Sequence, residues 1–435
     1  MLRWESWSGL TTARPAQVLS PGSTAEVVDA VVAGRAHGLT VKMVGSGHSF
    51  TDIARADGLL LRPDRLVGVR TVDRDAMTVT VLAGTPLHVL DDRLLGLGLA
   101  LHNLGDIDRQ TVAGAISTGT HGTGGRWASL SAQVTGFEVV TADARVLHAR
   151  PGGTAEEVEL LEAGRVGLGA LGILTAVTFR VEPAFTLEAV EEPMPWARFV
   201  DGFDDLVAAN EHAEAYWFPH SDRMLTKRNN RTTARARPLS RTRAYVEDEL
   251  LANSLFGAVN RLGDLAPRTI PALNRASSRA LTARTYSDVS HRVLTSSRRV
   301  RFREMEYAVP REAGMAALTE ARALVEQRGW RIGFPVEVRH APADDVWLSP
   351  AHGRATVYLA FHTNVRTDHR EYFAAVERVL RAYDGRPHWG KLHTRTAADL
   401  APAYPRFADF VALRDRLDPD RLFTNDYLER VLTPS

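Results

Sequence analysis

Apolar positions along the chain follow two spacings, and the switches between them mark out elements. Over residues 23–38, Val27, Val28, Val31 and Val32 recur at helical spacing behind an S-x-x-E capping box of Ser23 and Glu26, with Gly38 placed to end the helix. A short β-rich run, 39–44, follows and opens directly into Gly45-Ser46-Gly47-His48-Ser49-Phe50. Residues 78–82, 134–140 and 173–181 are further β-rich runs, and 86–95 reads as a helix with Pro86 at its first turn. The first 180 residues therefore predict a mixed α and β domain.

Glu182-Pro183 begins a shift in composition that lasts to about residue 385, and a second domain is expected there. Within it Tyr372, Phe373, Val376, Val379, Leu380 and Tyr383 repeat at helical spacing, as do Met315, Leu318 and Val325, and both sets read as core faces. Residues 223–243 hold eight basic side chains and no acid, and 247–265 is amphipathic, with Leu250, Leu251, Leu255, Phe256, Val259 and Leu262. An exposed basic loop followed by a packed helix is the expectation; weak attachment to a membrane surface is the other reading of the same pattern.

Length and composition narrow the class. A chain of 435 residues has room for more than one domain, and its 44% hydrophobic and 24% charged content is that of a globular protein. With 53 Lys and Arg against 52 Asp and Glu, no global charge draws it to nucleic acid. The absence of cysteine removes disulfides, thiolate metal sites, a cysteine nucleophile and a cysteinyl cofactor link, and it favours a cytoplasmic setting. The start of the chain lacks a basic n-region followed by an apolar core, and the longest nearly pure apolar stretch, 94–101, is far too short to span a bilayer. A soluble or at most peripheral protein is expected, with no metal site.

Two Gly-rich segments carry the candidate chemistry: residues 44–53 and residues 113–124. Small residues leave backbone N–H groups free to face phosphate oxygens, and Ser and Thr hydroxyls add donors without bulk. A pair of tight turns would look the same. Gly45-x-Gly47 lacks the third glycine and the later acidic residue of a Rossmann loop, and no G-K-[ST] follows either segment. Glu337 and Arg339, two apart, would share one face of a strand, as catalytic groups or as a surface ion pair.

Taken together, 45–49 (GSGHS), 111–121, 169–173, 216–220, 334–339 (FPVEVR), 386–391 (RPHWGK) and 417–425 occur in the order that resembles flavoproteins of the vanillyl-alcohol-oxidase type, specifically the aldonolactone oxidases. The resemblance spans nearly the whole chain and is weakest over 223–330. It implies an α+β, two-domain FAD-binding fold of the VAO/PCMH type, with residues 1–180 completed by 386–435 and a substrate cap, 181–385, built on an antiparallel sheet flanked by helices. It implies FAD joined by an 8α bond to His48. Gly45, Ser46, Gly47 and Ser49 would line the pyrophosphate with Gly114, Ser117, Thr118, Gly119 and His121, while Gly172 and Ile173 would meet the adenine half and His388 the cofactor.

Carried over in the same way, Arg339 would polarise the reacting oxygen, Glu337 would orient or accept the proton, and Lys391 would assist, through a pKa lowered by a dry pocket or a second cation. Thr111 would be an active-site hydroxyl. His362 stands where alditol oxidases have Thr, which turns the expectation from polyols to L-gulono- or D-arabinono-1,4-lactones. Gly105 matches a position that is Gly in oxidases and Ala in related dehydrogenases, so O2 would have access. The implied reaction is hydride transfer from C2 to flavin N5, with O2 reduced to H2O2 and the product enolising to ascorbate or an analogue. An alditol oxidase is the alternative, and a flavin-binding protein without turnover the remote one.

Overall fold

A computed structural model describes residues 3–240, 266–296 and 300–433. Near the N-terminus, β1 (Gln17–Leu19), β2 (Val41–Met43) and β3 (Leu59–Leu61) form a parallel sheet in the order β1-β3-β2, covered by helix α1 (Thr24–Ala36). Ser23 caps α1 by accepting from the Glu26 N–H, as the capping box predicts. The buried face is Val27, Ala30, Val31 and Gly34, and Val32, expected among the core valines, is 51% exposed. Spacings of three, four and seven from Val27 keep to one face, whereas five places Val32 off it.

A second, antiparallel sheet contains β4 (Val69–Asp73), β5 (Thr78–Leu82), β6 (Val134–Val140), β7 (Val146–Ala149) and β8 (Ile173–Arg180), in the order β7-β6-β8-β5-β4. Helices α2 (Leu87–Gly96, after Pro86) and α3 (Val112–Ser117) contribute Leu87, Leu90, Leu94, Val112 and Ile116 to the core that this sheet shares with the C-terminal helices.

The largest sheet among the described residues is antiparallel with eight strands. They are β9 (Thr186–Pro195), β10 (His212–Trp217), β11 (Arg223–Thr232), β12 (Arg284–Val289), β13 (Phe302–Pro310), β14 (Val336–Ala341), β15 (Thr356–Asn364) and β16 (Arg386–Pro387). Their order is β12-β9-β11-β10-β14-β15-β13-β16. One face buries Trp217, Met224, Met305, Tyr307, Val336, Val338, Leu359 and Phe361 against helices α4 (Gly314–Arg328) and α5 (Arg370–Ala382). On α5 that face is Tyr372, Phe373, Val376 and Leu380, the residues whose spacing predicts the helix.

The expected basic loop is corrected in its first half: residues 223–232 are β11, an inner strand of this sheet. Its cations are tolerated there because carboxylates meet them, Glu214 and Glu192 on the two neighbouring strands at Lys227 and Arg228, and Glu182, which precedes β9, at Arg231. The amphipathic stretch 247–265 lies outside the described residues. Among the described residues no helix is long and apolar enough to cross a membrane.

Candidate active site

The opposite face of the eight-stranded sheet is where the sequence places charge. On an antiparallel sheet, residues in register share a face. Glu304 on β13 stands opposite His362 on β15; Glu337 and Arg339 on β14 stand opposite Tyr216 and Glu214 on β10; Lys227 on β11 stands opposite Glu214 on one side and Glu191 on the other. Arg284 on β12 completes the row by binding Glu191 through two nitrogens. Seven strands thus line up ionic side chains that are dispersed over more than 170 positions of sequence, from Glu191 to His362.

This face walls a cavity of about 750 Å³, also lined by His48, Gly105, Gln110, Thr118, Thr120, His121, Glu306, His388 and Lys391. A smaller cavity of about 120 Å³ is lined by Lys42, Gly45, Ser46, Gly47, His48, Ser49, Gln110, Thr111, Gly114, Ser117, Thr118, Gly172 and Ile173. His48, Ser49, Gln110 and Thr118 belong to both, so the two meet at those residues. The loop that carries His48 is pinned from the C-terminal part: the Phe50 N–H donates to Gly390 O at 2.7 Å and the Thr51 hydroxyl to Trp389 O at 3.2 Å.

Most of the residues singled out from sequence converge on these two spaces. Glu337, Arg339, Lys391, His362, Gly105, His121 and His388 line the larger one, and the Gly-Ser loop with Gly114, Ser117, Gly172 and Ile173 lines the smaller. Three positions differ from the expected arrangement. Thr111 lines only the smaller cavity, because it precedes the first turn of α3 and packs on Gly45: a β-carbon at Gly45 would sit 2.1 Å from Thr111 Oγ1. His121, expected beside Ser117 and Thr118, is carried past the helix end to the larger cavity. Gly119 lines neither space and lies beside Val166 and Pro350.

Charges in the larger cavity are tightly paired. Arg339 donates from Nε to Glu214 at 3.1 Å and meets Glu337 through Nη2; burial opposes its charge, but the two carboxylates hold the guanidinium protonated. Lys391 forms an ion pair with Glu304, and Glu304 Oε1 lies 3.5 Å from His362 Nε2. Burial works to raise the Glu304 pKa, yet Lys391 and His362 beside it more than offset this and hold it at about 2. Lys391 therefore faces a carboxylate and not a second cation, one of the two settings expected for it beside a dry pocket. His48 is held neutral to about pH 4, by burial first and by Lys391 second. A neutral imidazole is the form that has a nucleophilic lone pair.

Glu304, Glu306, Glu214 and Lys227 escaped sequence reasoning. The available signal was the alternation of Glu304 and Glu306 with Met305 and Tyr307, a polar face in an otherwise apolar strand. Glu306 meets His121 at 3.2 Å, and the His121 ring stacks on Tyr358 with centroids 3.5 Å apart. Burial raises the Glu306 pKa, but His121 brings it well below the usual carboxylate range.

Glu306, His121 and His388 offer atoms within 4.8 Å of one another, a set that could in principle hold a metal. His388 Nδ1, however, accepts from the Gly390 N–H, which puts the ring proton on Nε2, and Glu306 is already engaged by His121. The set reads as a proton network.

The lining of the smaller cavity fits a dinucleotide. Among its described residues are a lysine and three glycine-containing segments but no Asp or Glu, and Gly45 is a place where any β-carbon would collide with Thr111.

Comparison with known proteins agrees. Residues 177–431 match the family model for D-arabinono-1,4-lactone oxidase, and residues 15–150 match a model for an FAD binding domain. The chain is 40% identical to an L-gulono-1,4-lactone dehydrogenase of Mycobacterium tuberculosis over 99% of both proteins. It is 31% identical to the L-gulonolactone oxidase of Bos taurus over 99% of this chain and 98% of that one. Among solved structures, cholesterol oxidase from Brevibacterium sterolicum superposes with a TM-score of 0.82 at 18% identity, covering 99% of this chain and 96% of that one, which establishes the fold. The fold is the α+β FAD-binding VAO/PCMH type anticipated from the motifs, and the protein is an FAD-binding oxidoreductase that belongs to the D-arabinono-1,4-lactone oxidase family.

Proposed function

We propose that the protein oxidises a sugar 1,4-lactone of the L-gulono or D-arabinono type at its C2 hydroxyl, using FAD attached through His48 and O2 as the electron acceptor. The observation that carries this reading is the convergence of Glu337, Arg339, Lys391 and Glu304 on a cavity that shares His48 with the smaller, glycine-lined one. In this reading residues 1–180 with 386–435 hold the cofactor and 181–385 cap the substrate.

Bound FAD supplies the electron sink for the C2–H bond. Everything else falls to the chain. Arg339, fixed by two carboxylates, presents a rigid fork of donors to the C2 oxygen and stabilises negative charge there as the C–H bond weakens. Glu337, on the same face and buried, orients that hydroxyl and takes its proton. Lys391, tied to Glu304, places a second cation on the cavity wall, and His362, whose Nδ1 is 2.9 Å from Pro335 O, has its ring orientation set by that bond. Two electrons and two protons leave the lactone and reach O2 as H2O2, and the 2-keto lactone enolises to ascorbate or an analogue.

Attachment is tested by colour. After acid precipitation and washing, the yellow chromophore should stay with the pellet, and His48→Ala should release it to the supernatant. A wild-type pellet without colour contradicts the His48 bond. A substrate panel of 1,4-lactones against xylitol and sorbitol, with peroxide as readout, separates the lactone from the alditol reading.

A further inference from the structure

Lys42 is buried, at 6% exposure, in the middle of β2, the strand that runs into the Gly-Ser loop. Its ammonium group donates only to backbone oxygens, Phe423 O at 3.1 Å and Gly169 O at 3.3 Å, and makes no ion pair among the described residues. Asp418 is the charged group nearest in effect, but its two oxygens are committed to the N–H groups of Leu422 and Phe423, and Arg421 and Arg414 also act on its charge. A buried ammonium without a counter-charge is a costly feature. Lys42 also lines the smaller cavity, whose other titratable side chain is His48 and whose described lining has no carboxylate.

From this geometry we propose that Lys42 is the counter-charge for the phosphates of the dinucleotide, a cofactor-binding residue outside the Gly-Ser loop and the second Gly-rich segment. The proposal rests on the reading of the smaller cavity as the FAD cavity. Before the anion arrives, burial lowers the Lys42 pKa to about 7, with Asp418 opposing only in part. Anion binding restores the charge, so a proton is taken up with FAD near and above neutral pH. A lysine that served only to tie Gly169 to Phe423 would give no such proton linkage.

The test uses full-length His48→Ala protein, in which flavin can exchange, with FAD affinity measured by ultrafiltration and flavin absorbance from pH 6 to 9. The FAD pyrophosphate does not titrate in that window. With Lys42 present, Kd should rise by up to about tenfold per pH unit above about 7. Lys42→Met should bind FAD at least about tenfold more weakly at pH 6 and show no such rise, while Lys42→Arg, which stays charged and keeps a fold that Met could lose, should bind with a flat profile. The same rise in Lys42→Met or Lys42→Arg, or a flat profile with Lys42 present, overturns the role of Lys42 and leaves the cofactor cavity standing. Failure of the His48→Ala protein to bind FAD at pH 6 overturns the cavity assignment and the proposal with it.

Discussion

The ammonium of Lys391 is ion-paired to Glu304, a carboxylate 87 positions earlier on the strand that faces His362. The pair makes Lys391 a fixed cation on the cavity wall, and Glu304 a positioning residue for both Lys391 and His362. Glu304→Gln keeps the shape and removes the charge, and kcat/KM for the lactone should fall roughly 10- to 100-fold. Because the two act as a unit, the Glu304→Gln, Lys391→Met double variant should cost little more than the worse single one. Full additivity in steady-state kinetics would contradict the coupling.

Arg339 serves two carboxylates at once. Arg339→Lys keeps a positive charge and so avoids stranding Glu337 and Glu214, but it loses the planar fork. The expected outcome is a loss of about 10²-fold or more in kcat with the flavin absorption spectrum unchanged. Retained activity would remove Arg339 from the chemistry.

At Gly105 a β-carbon would come within 2.7 Å of Thr120 Cγ2 and 3.1 Å of His121 O. Thr120 is β-branched and hydrogen-bonded to Gln110, so it yields at a cost of about 1–3 kcal/mol. In rapid-mixing experiments Gly105→Ala should slow reoxidation by O2 roughly tenfold while leaving flavin reduction by lactone within about twofold. Equal slowing of both steps would mean that the substitution only deforms the wall.

His340 is buried at 8% exposure on β14, and its pKa is lowered to about 4, by burial first and then by Arg311 and His212. With the folded pKa below the unfolded value of about 6.5, the unfolded chain binds more protons between those two values. The stability contributed is complete above about pH 6.5 and is lost as pH falls toward 4, amounting to about 2 kcal/mol between pH 7 and 5. His340→Gln should flatten that part of the stability curve, measured as denaturant midpoint against pH. An unchanged slope would show that His340 does not carry it.

Local signals in the sequence identify local structure. The Ser23 half of the expected capping box, the helical spacing from Tyr372 to Leu380 and the Gly-Ser loop after a short strand all depend on neighbours within one or two turns, and each is present, whereas the Glu26 carboxylate accepts from the Gly22 N–H in place of Ser23. The ionic row depends on register between strands far apart in the chain, which periodicity cannot supply. Glu214 finds Arg339 across 125 positions, and Lys42 finds Phe423 across 381. For the same reason the basic run from Arg223 reads as an exposed loop until its carboxylate partners on β9 and β10 are known. His121 belongs to the second Gly-rich segment in sequence, but the chain beyond α3 carries its ring to Tyr358 and Glu306.

Oxidation of the lactone by the flavin is read out by anaerobic mixing of the purified holoprotein with L-gulono-1,4-lactone or D-arabinono-1,4-lactone while the visible flavin absorption is followed. At least one of the two should bleach the flavin, with colour and one equivalent of H2O2 returning when O2 is admitted. Persistent yellow colour in the presence of both lactones would contradict this oxidation.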